Sequence, residues 1–222
     1  MSKRRSGGKI RFSHIFGLIL LAIILLLVRE IARKPEPVPP PETLQPGVHV
    51  LDGDTFTDSE GNTVRLLGID TPEKGQPFAK EAEVELQRLL TSAAQIRYEF
   101  GKEKTDRYQR LLAFVFADSI FVNERLLEDG LATAYFFEGQ LASAAFQELC
   151  AAQRAALREK VGIWSHAPEP LESVYYGNTE RRRFHRPTCS AVESGEMKHL
   201  VKRSTREEFL NDCYSPCRNC KP

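Results

Sequence analysis

The chain has 222 residues and a hydrophobic share of 41%, long enough for one domain of ordinary size plus a small one, and too apolar for a disordered polymer. Its formal net charge of +1 argues against a chain that grips polyanions by bulk charge alone. The charge is unevenly placed: residues 1–34 hold eight Lys/Arg against one acid, residues 47–166 hold 13 against 19, and residues 173–222 hold ten against six.

Residues 1–34 read as a basic segment and signal anchor. Lys3, Arg4, Arg5, Lys9 and Arg11 precede an apolar stretch at about 12–28 that Arg29 closes. The uninterrupted core, 15–28, is short for a spanning helix, but arginines at both ends can snorkel and lengthen it. No small-x-small cleavage site follows, which favours an uncleaved anchor over secretion after cleavage. The basic side then stays in the cytoplasm, and the rest of a single-pass chain faces outward from the cell membrane. Residues 35–46, PEPVPPPETLQP, form a proline-rich, extended linker.

Residues 47–166 form the next unit. Val48–Leu51, Thr55–Thr57 and Val64–Ile69 alternate as strands, with Gly53 and Gly61 at turns. Phe78–Leu90 has helical spacing, and Ile96–Phe100 and Leu111–Phe116 read as further strands. Asn123 is expected to cap a short helix that Gly130 ends, and Gln140–Lys160 is a long Ala-rich helix. Cys150 reads as a buried thiol, and Trp164 and Phe146 as core. The order suits an α+β fold: a five-stranded OB-type barrel with packed helices.

Chemistry concentrates in VHVLDGDTFTDSEGNTVRLLGIDTPE, residues 48–73. Two turns, Asp52-Gly53-Asp54-Thr55 and Asp70-Thr71-Pro72-Glu73, gather four carboxylates, with Arg65 on the strand between. Carboxylate oxygens are hard ligands suited to Ca²⁺, and a guanidinium fork suits phosphate. Together they point to metal-assisted chemistry on a phosphodiester. Each turn taken alone is ordinary hairpin chemistry. TDRYQRLLAFVF at 105–116 adds Tyr108 and Arg110 ahead of an apolar strand.

With these motifs, VNERLLEDGLA at 122–132 and GIW at 162–164, the segment resembles the staphylococcal nuclease (thermonuclease) family. The resemblance implies that Asp54, Asp70 and the Thr71 carbonyl hold one Ca²⁺, and that Arg65 and Arg110 clamp the scissile phosphate. It implies that Glu73 positions or deprotonates the attacking water, and that Tyr108 and Tyr135 lie against the nucleotide. The expected products of DNA or RNA carry 3′-phosphate ends. Family members commonly have Gly before the second arginine where this chain has Gln109, so a positive-φ turn there would be strained.

Residues 173–222 hold four of the five cysteines. His185-x3-Cys189 and Cys217-x2-Cys220 have the spacing of a tetrahedral structural Zn²⁺ site, with Cys213 as a spare thiol. Disulfides among these cysteines are the alternative in an oxidising compartment. The segment YYGNTERRRFHRPTCS…STREEFLNDCYSPCRNCKP also resembles the metal-binding domain of the Ada DNA-repair protein. His185 stands where that family has its methyl-accepting cysteine, so phosphotriester repair is not expected. Arg181, Arg182, Arg183 and Arg186 read either as a solvated charge run or as phosphate contacts. The overall reading is a membrane-tethered, Ca²⁺-dependent nuclease with an accessory zinc module. The competing reading is a non-catalytic OB module that binds nucleic acid in an envelope assembly.

Overall fold

The structure, a computed structural model, describes residues 47–136, 140, 142–166, 171–195 and 198–222. The basic segment, the apolar stretch at 12–28 and the proline-rich linker lie outside the described residues. Among the described residues no helix is long and apolar enough to cross a membrane.

The fold is mixed α+β. Strands β1 (His49–Asp52), β2 (Thr55–Thr57) and β3 (Thr63–Leu66) form the antiparallel meander that the alternation predicts. The single strand expected over Val64–Ile69 is broken: β3 stops at Leu66, and β4 (Ile69–Asp70) leaves to pair with β8 (Thr133–Ala134). This break swings Asp70 away from the main sheet. Strand β5 (Ile96–Thr105) pairs antiparallel with β6 (Leu111–Ala117), and β6 runs parallel to β3. The short β7 (Ile120–Phe121) adds to β6.

The order β1-β2-β3-β6-β5 is an open path: the sheet is consistent with the expected five-stranded OB type, but among the described residues no ladder closes it into a barrel. Helix α1 (Ala79–Ser92) packs against β1, and β5 at the other edge has mostly exposed side chains. Apolar packing by Ala82, Leu86, Leu89 and Leu90 therefore covers the sheet where ladder hydrogen bonds would have closed it.

Helix α2 (Val122–Glu128) forms where expected, but Asn123 does not cap it. Fully buried, its Oδ1 accepts the Val115 N–H at 2.9 Å and its Nδ2 donates to the Leu67 carbonyl at 2.8 Å. It stitches β6 to the β3–β4 break instead. Gly130 ends the turn that follows at φ 64, against the backbone of Gly162 at φ 55. A Cβ on either residue would run into the other segment's carbonyl, so only glycine permits the approach. The Ile163 N–H donates to the Gly130 carbonyl at 2.8 Å, which fixes the short 3-10 turn carrying Trp164.

Helix α3 (Ala144–Glu159) serves two cores. Phe146, Leu149 and Cys150 face the first, with Leu66, Phe114 and Phe136. Ala156 joins a second with Trp164, Tyr175, Phe184, Phe209 and Tyr214. That second core belongs mostly to β9 (Tyr175–Asn178), β10 (Arg183–His185), α4 (Ser190–Glu193), β11 (Leu200–Arg203), α5 (Arg206–Asn211) and β12 (Ser215–Pro216). Their sheet has the order β11-β9-β10-β12. Gln153 on α3 is fully buried, taking the Ala134 N–H at 2.7 Å and donating to the Leu210 carbonyl at 3.0 Å.

Cys150 and Cys213 are not the isolated thiols expected from sequence. They form a disulfide with Cα atoms 5.8 Å apart, because α3 lies against the turn after α5. The bond spans 63 residues, and closing such a loop stabilises a fold by about 4 kcal/mol in the chain-entropy picture. Replacing both residues by alanine should therefore lower the unfolding free energy by about 2–4 kcal/mol in a denaturant titration. A loss under 0.5 kcal/mol, with both thiols alkylated in the native wild type, would show that the bond does not form.

Candidate active site

The turn between β1 and β2 carries Asp54 into the interior. Gly53 makes this possible: a Cβ there would lie 2.6 Å from the Ala82 Cβ and 2.8 Å from the Thr71 Oγ1. Asp54, 5% exposed, receives a dense set of donors. Its Oδ2 accepts from the Thr71 N–H at 2.9 Å and the Thr71 hydroxyl at 3.1 Å, and its Oδ1 accepts from the Thr55 hydroxyl at 3.0 Å. Burial still raises its pKa above the ordinary carboxylate value, with Arg65 opposing and Asp52 adding to the rise.

Arg65 on β3 joins the two acidic turns. One nitrogen, Nη2, lies 3.0 Å from Asp54 Oδ2 and 3.1 Å from Asp70 Oδ1. Its Nη1 donates to the Leu66 carbonyl, which fixes the fork. Two buried carboxylates thus converge on a single guanidinium nitrogen.

A residue from the far end of the chain completes the cluster. Arg218, between Cys217 and Cys220, donates from Nε to Asp70 Oδ2 at 2.9 Å and from Nη2 to Asp70 Oδ1. Its Nη1 lies 2.8 Å from Glu73 Oε1. Glu73, whose side chain is largely exposed, is thereby held beside Asp70. Asp70, Thr71 and Glu73 share a cavity of 430 Å³ with Arg218 and other C-terminal residues.

Arg110 sits elsewhere in the contact network. Its Nε donates to Asp106 Oδ2 at 2.8 Å, and Nη2 lies 2.7 Å from the same oxygen. Burial works to raise the Asp106 pKa, but the Arg110 side chain and the backbone N–H groups of Arg110 and Tyr108 outweigh it and bring it below 3.8. The clasp is therefore intact above that ordinary value and is lost only as pH falls through the lower one. Leu112 pairs with Arg65 across β3 and β6, and Arg110 stands just before β6 begins. Tyr108 is 64% exposed, with the Arg107 and Arg110 guanidiniums 4.7 and 5.6 Å from its ring centre. Tyr135 lies under Arg183 at 4.7 Å, and its N–H donates to the Gly68 carbonyl beside β4.

A profile described as staphylococcal nuclease homologue matches residues 63–166. Thermonuclease of Staphylococcus hyicus is 36% identical over 129 residues, covering 54% of this chain and 74% of that protein. The chain belongs to the staphylococcal nuclease homologue family. Thermonuclease of Staphylococcus intermedius is 34% identical over 124 residues, covering 52% of this chain and 72% of its own. An SPbeta prophage-derived endonuclease of Bacillus subtilis (strain 168) is 37% identical over 126 residues, covering 52% and 42%. The chain is a nuclease of the thermonuclease type, and Arg65, Asp70 and Glu73 lie within the residues that the profile matches.

In the C-terminal part of the nuclease, His185, Cys189, Cys217 and Cys220 bring their donor atoms within 4.8 Å of one another. His185 Nδ1 is 3.4 Å from Cys189 Sγ, and the Arg186 N–H points at Cys220 Sγ at 3.3 Å. The hydrogen bond between Cys217 and Cys220, with a smaller contribution from His185, lowers the Cys217 thiol and raises that of Cys220, so the pair shares a proton with the thiolate on Cys217. The neighbouring arginines are not a surface stripe. Arg182 lies over Tyr214 and donates to the Asp212 carbonyl, Arg183 covers Tyr135, and Arg186 pairs with Glu172 at 3.0 Å. Arg181 alone of the four is exposed.

The sequence reading missed Arg218. Its one local signal is a cation between two closely spaced ligands; its partner lies 148 residues away. The concern about Gln109 is realised, since the residue has φ 64. An L-residue in that region costs about 1–2 kcal/mol. Gln109→Gly should raise the unfolding free energy by up to about 1 kcal/mol after glycine's greater freedom in the unfolded chain is deducted. A destabilised Gln109→Gly variant would mean that the glutamine side chain stabilises this turn.

Proposed function

We propose that this nuclease hydrolyses phosphodiester bonds of DNA, RNA or both with Ca²⁺, leaving 3′-phosphate and 5′-hydroxyl ends. The observation that carries the reading is the convergence of Asp54 and Asp70 on Arg65 Nη2, with Glu73 beside Asp70 in the wall of the cavity. The two carboxylates and the Thr71 carbonyl form an all-oxygen donor set that suits a hard cation. Bound there, Ca²⁺ supplies Lewis-acid polarisation and a bound water of lowered pKa.

The side chains do the rest. Arg65 on β3 and Arg110 just ahead of β6 receive the phosphoryl oxygens and stabilise their growing charge. Arg110 exchanges its Asp106 partner for the phosphate as it does so. Glu73 has Oε1 held by Arg218, so its other oxygen takes the proton of the attacking water. Tyr108 and Tyr135 flank the nucleotide.

The donor set of His185, Cys189, Cys217 and Cys220 suits a tetrahedral structural Zn²⁺, which would fix the turn that aims Arg218. The likeness to the Ada metal-binding domain rests on sequence motifs and supports the same zinc reading. A Cys150–Cys213 bond favours an oxidising compartment, consistent with a nuclease anchored through residues 12–28 and facing outward from the membrane.

Activity should vanish in chelator and return with Ca²⁺, while Mg²⁺, which demands tighter octahedral geometry, restores little. Full activity after exhaustive chelation would contradict the proposal. Arg65→Lys and Glu73→Gln should each lower turnover by roughly a hundredfold, measured on a single-stranded oligonucleotide with end-labelled products. Near-native turnover in both would move the chemistry elsewhere.

Arg218 occupies both Asp70 oxygens, so Ca²⁺ is taken up in competition with it. Arg218→Ala should lower the Ca²⁺ concentration for half-maximal activity about tenfold, the equivalent of one charge-assisted hydrogen bond. An unchanged or higher midpoint would remove the competition. Purified protein should contain about one zinc per chain, lost in Cys217→Ser and retained in Cys213→Ala.

A further inference from the structure

The cavity beside Asp70 and Glu73 extends away from the carboxylates into the junction with the C-terminal part, and there its wall changes character. Trp164, Ile163 and Phe78 give it an apolar side, while Arg206, Arg218 and Lys221 give it positive charge. At 430 Å³ it is of a size that holds a small ligand.

Arg206 is the unusual member. It is 8% exposed, yet among the described residues its guanidinium has neither a hydrogen bond nor an ion pair, and its Nε is a buried donor without an acceptor. The Trp164 Nε1 in the same wall is a second buried donor without an acceptor. A buried guanidinium donor left without an acceptor is destabilising unless something negative joins it. Burial brings the Arg206 pKa below its ordinary value against the attraction of Glu207 and Tyr175, and repulsion from Arg186 adds a smaller push the same way. Glu207 attracts it without forming an ion pair. The missing element is an anion.

We propose that this part of the cavity is a subsite for the phosphate adjoining the scissile one on the substrate strand, with Arg206 as its anchor. The inference rests on the proposed phosphodiester reaction, which places the scissile phosphate at Asp70 and Glu73. The neighbouring phosphate then reaches Arg206 and Lys221, and the attached base lies on Trp164 and Phe78. Aromatic and apolar walls hold bases without sequence preference, so the subsite adds affinity and leaves sequence choice open. Phe78 supports this placement: it holds φ 66, a left-handed conformation unfavourable for an aromatic residue, at the start of α1 with its ring on the cavity. The C-terminal part thus supplies one wall of a substrate channel, and the net-negative nuclease segment gains the cations its polyanionic substrate requires.

The single tryptophan of the chain makes the subsite observable without turnover. Trp164 fluorescence of the zinc-loaded full-length protein, with Ca²⁺ withheld, is titrated with a trinucleotide holding two phosphodiesters, a dinucleoside monophosphate and inorganic phosphate. The trinucleotide should change the emission and bind about tenfold more tightly than the dinucleoside monophosphate, and Arg206→Gln should erase that difference. If Arg206→Gln does not fold, Lys221→Ala at the exposed rim should reduce it severalfold. Equal affinity for the trinucleotide and dinucleoside monophosphate, or tighter binding of free phosphate than of either, would overturn the proposal.

Cleavage with Ca²⁺ is measured alongside. Arg206→Gln should lower kcat/KM about tenfold more for the trinucleotide than for the dinucleoside monophosphate. Wild-type protein that binds as expected but cleaves neither substrate refutes the catalytic reading and keeps the subsite. Wild-type protein that cleaves both without a trinucleotide preference refutes the subsite and keeps the catalysis.

Discussion

Two buried carboxylates that must stay together dominate this molecule. Asp54 and Asp70 lie within hydrogen-bond reach of the same Arg65 nitrogen, and neither has free access to water. Like charges at such range repel unless cations balance them. The fold supplies two: Arg65 from the sheet beneath and Arg218 from the C-terminal turn above. The broken third strand, the glycine at position 53 and the Thr71 donors all serve to bring the two acidic turns to this point. Only the second cation lies on a separate element, so that is where the arrangement can be altered most easily.

That element is firmly seated. Helix α3 contributes to both cores, Gln153 hydrogen-bonds to both sides, and Cys150 is bonded to Cys213. Gly130 and Gly162 bring the turn bearing Trp164 close to the end of α2. The four donor atoms of His185, Cys189, Cys217 and Cys220 lie within 4.8 Å of one another, and Cys217 and Cys220 flank the short loop from which Arg218 projects. Packing and a covalent bond therefore act together to place one guanidinium. Removing any of them should be felt first at Asp70 and Glu73, and only then in global stability.

Much of the nuclease region was legible in the sequence because its signals are local. The Asp52–Thr55 and Asp70–Glu73 turns, the alternating strands around Arg65 and the strained Gln109 need only a few residues each to be recognised. Sheet closure was not legible, because whether edge strands pair or are covered by a helix depends on how Ala82 and Leu86 pack. Asn123 was misread for a similar reason: its side chain is used by Val115 and Leu67, and a cap and a core clasp look alike in sequence. The bond from Cys150 to Cys213 and the reach of Arg218 to Asp70 span 63 and 148 residues, so no spacing rule could have revealed them. The arginines at 181–186 drew attention as a run, yet three of them face protein, while the isolated Arg206 and Arg218 face the cavity.

The central claim is that Arg218 and Asp70 interact directly and join the C-terminal part to the nuclease site. A double-mutant cycle on unfolding free energy, with Asp70→Asn and Arg218→Met made singly and together, measures that interaction with contributions from other contacts cancelled. A coupling energy of at least about 1 kcal/mol, reduced by added Ca²⁺, is the predicted result. Strictly additive effects, within about 0.3 kcal/mol and insensitive to Ca²⁺, would contradict it.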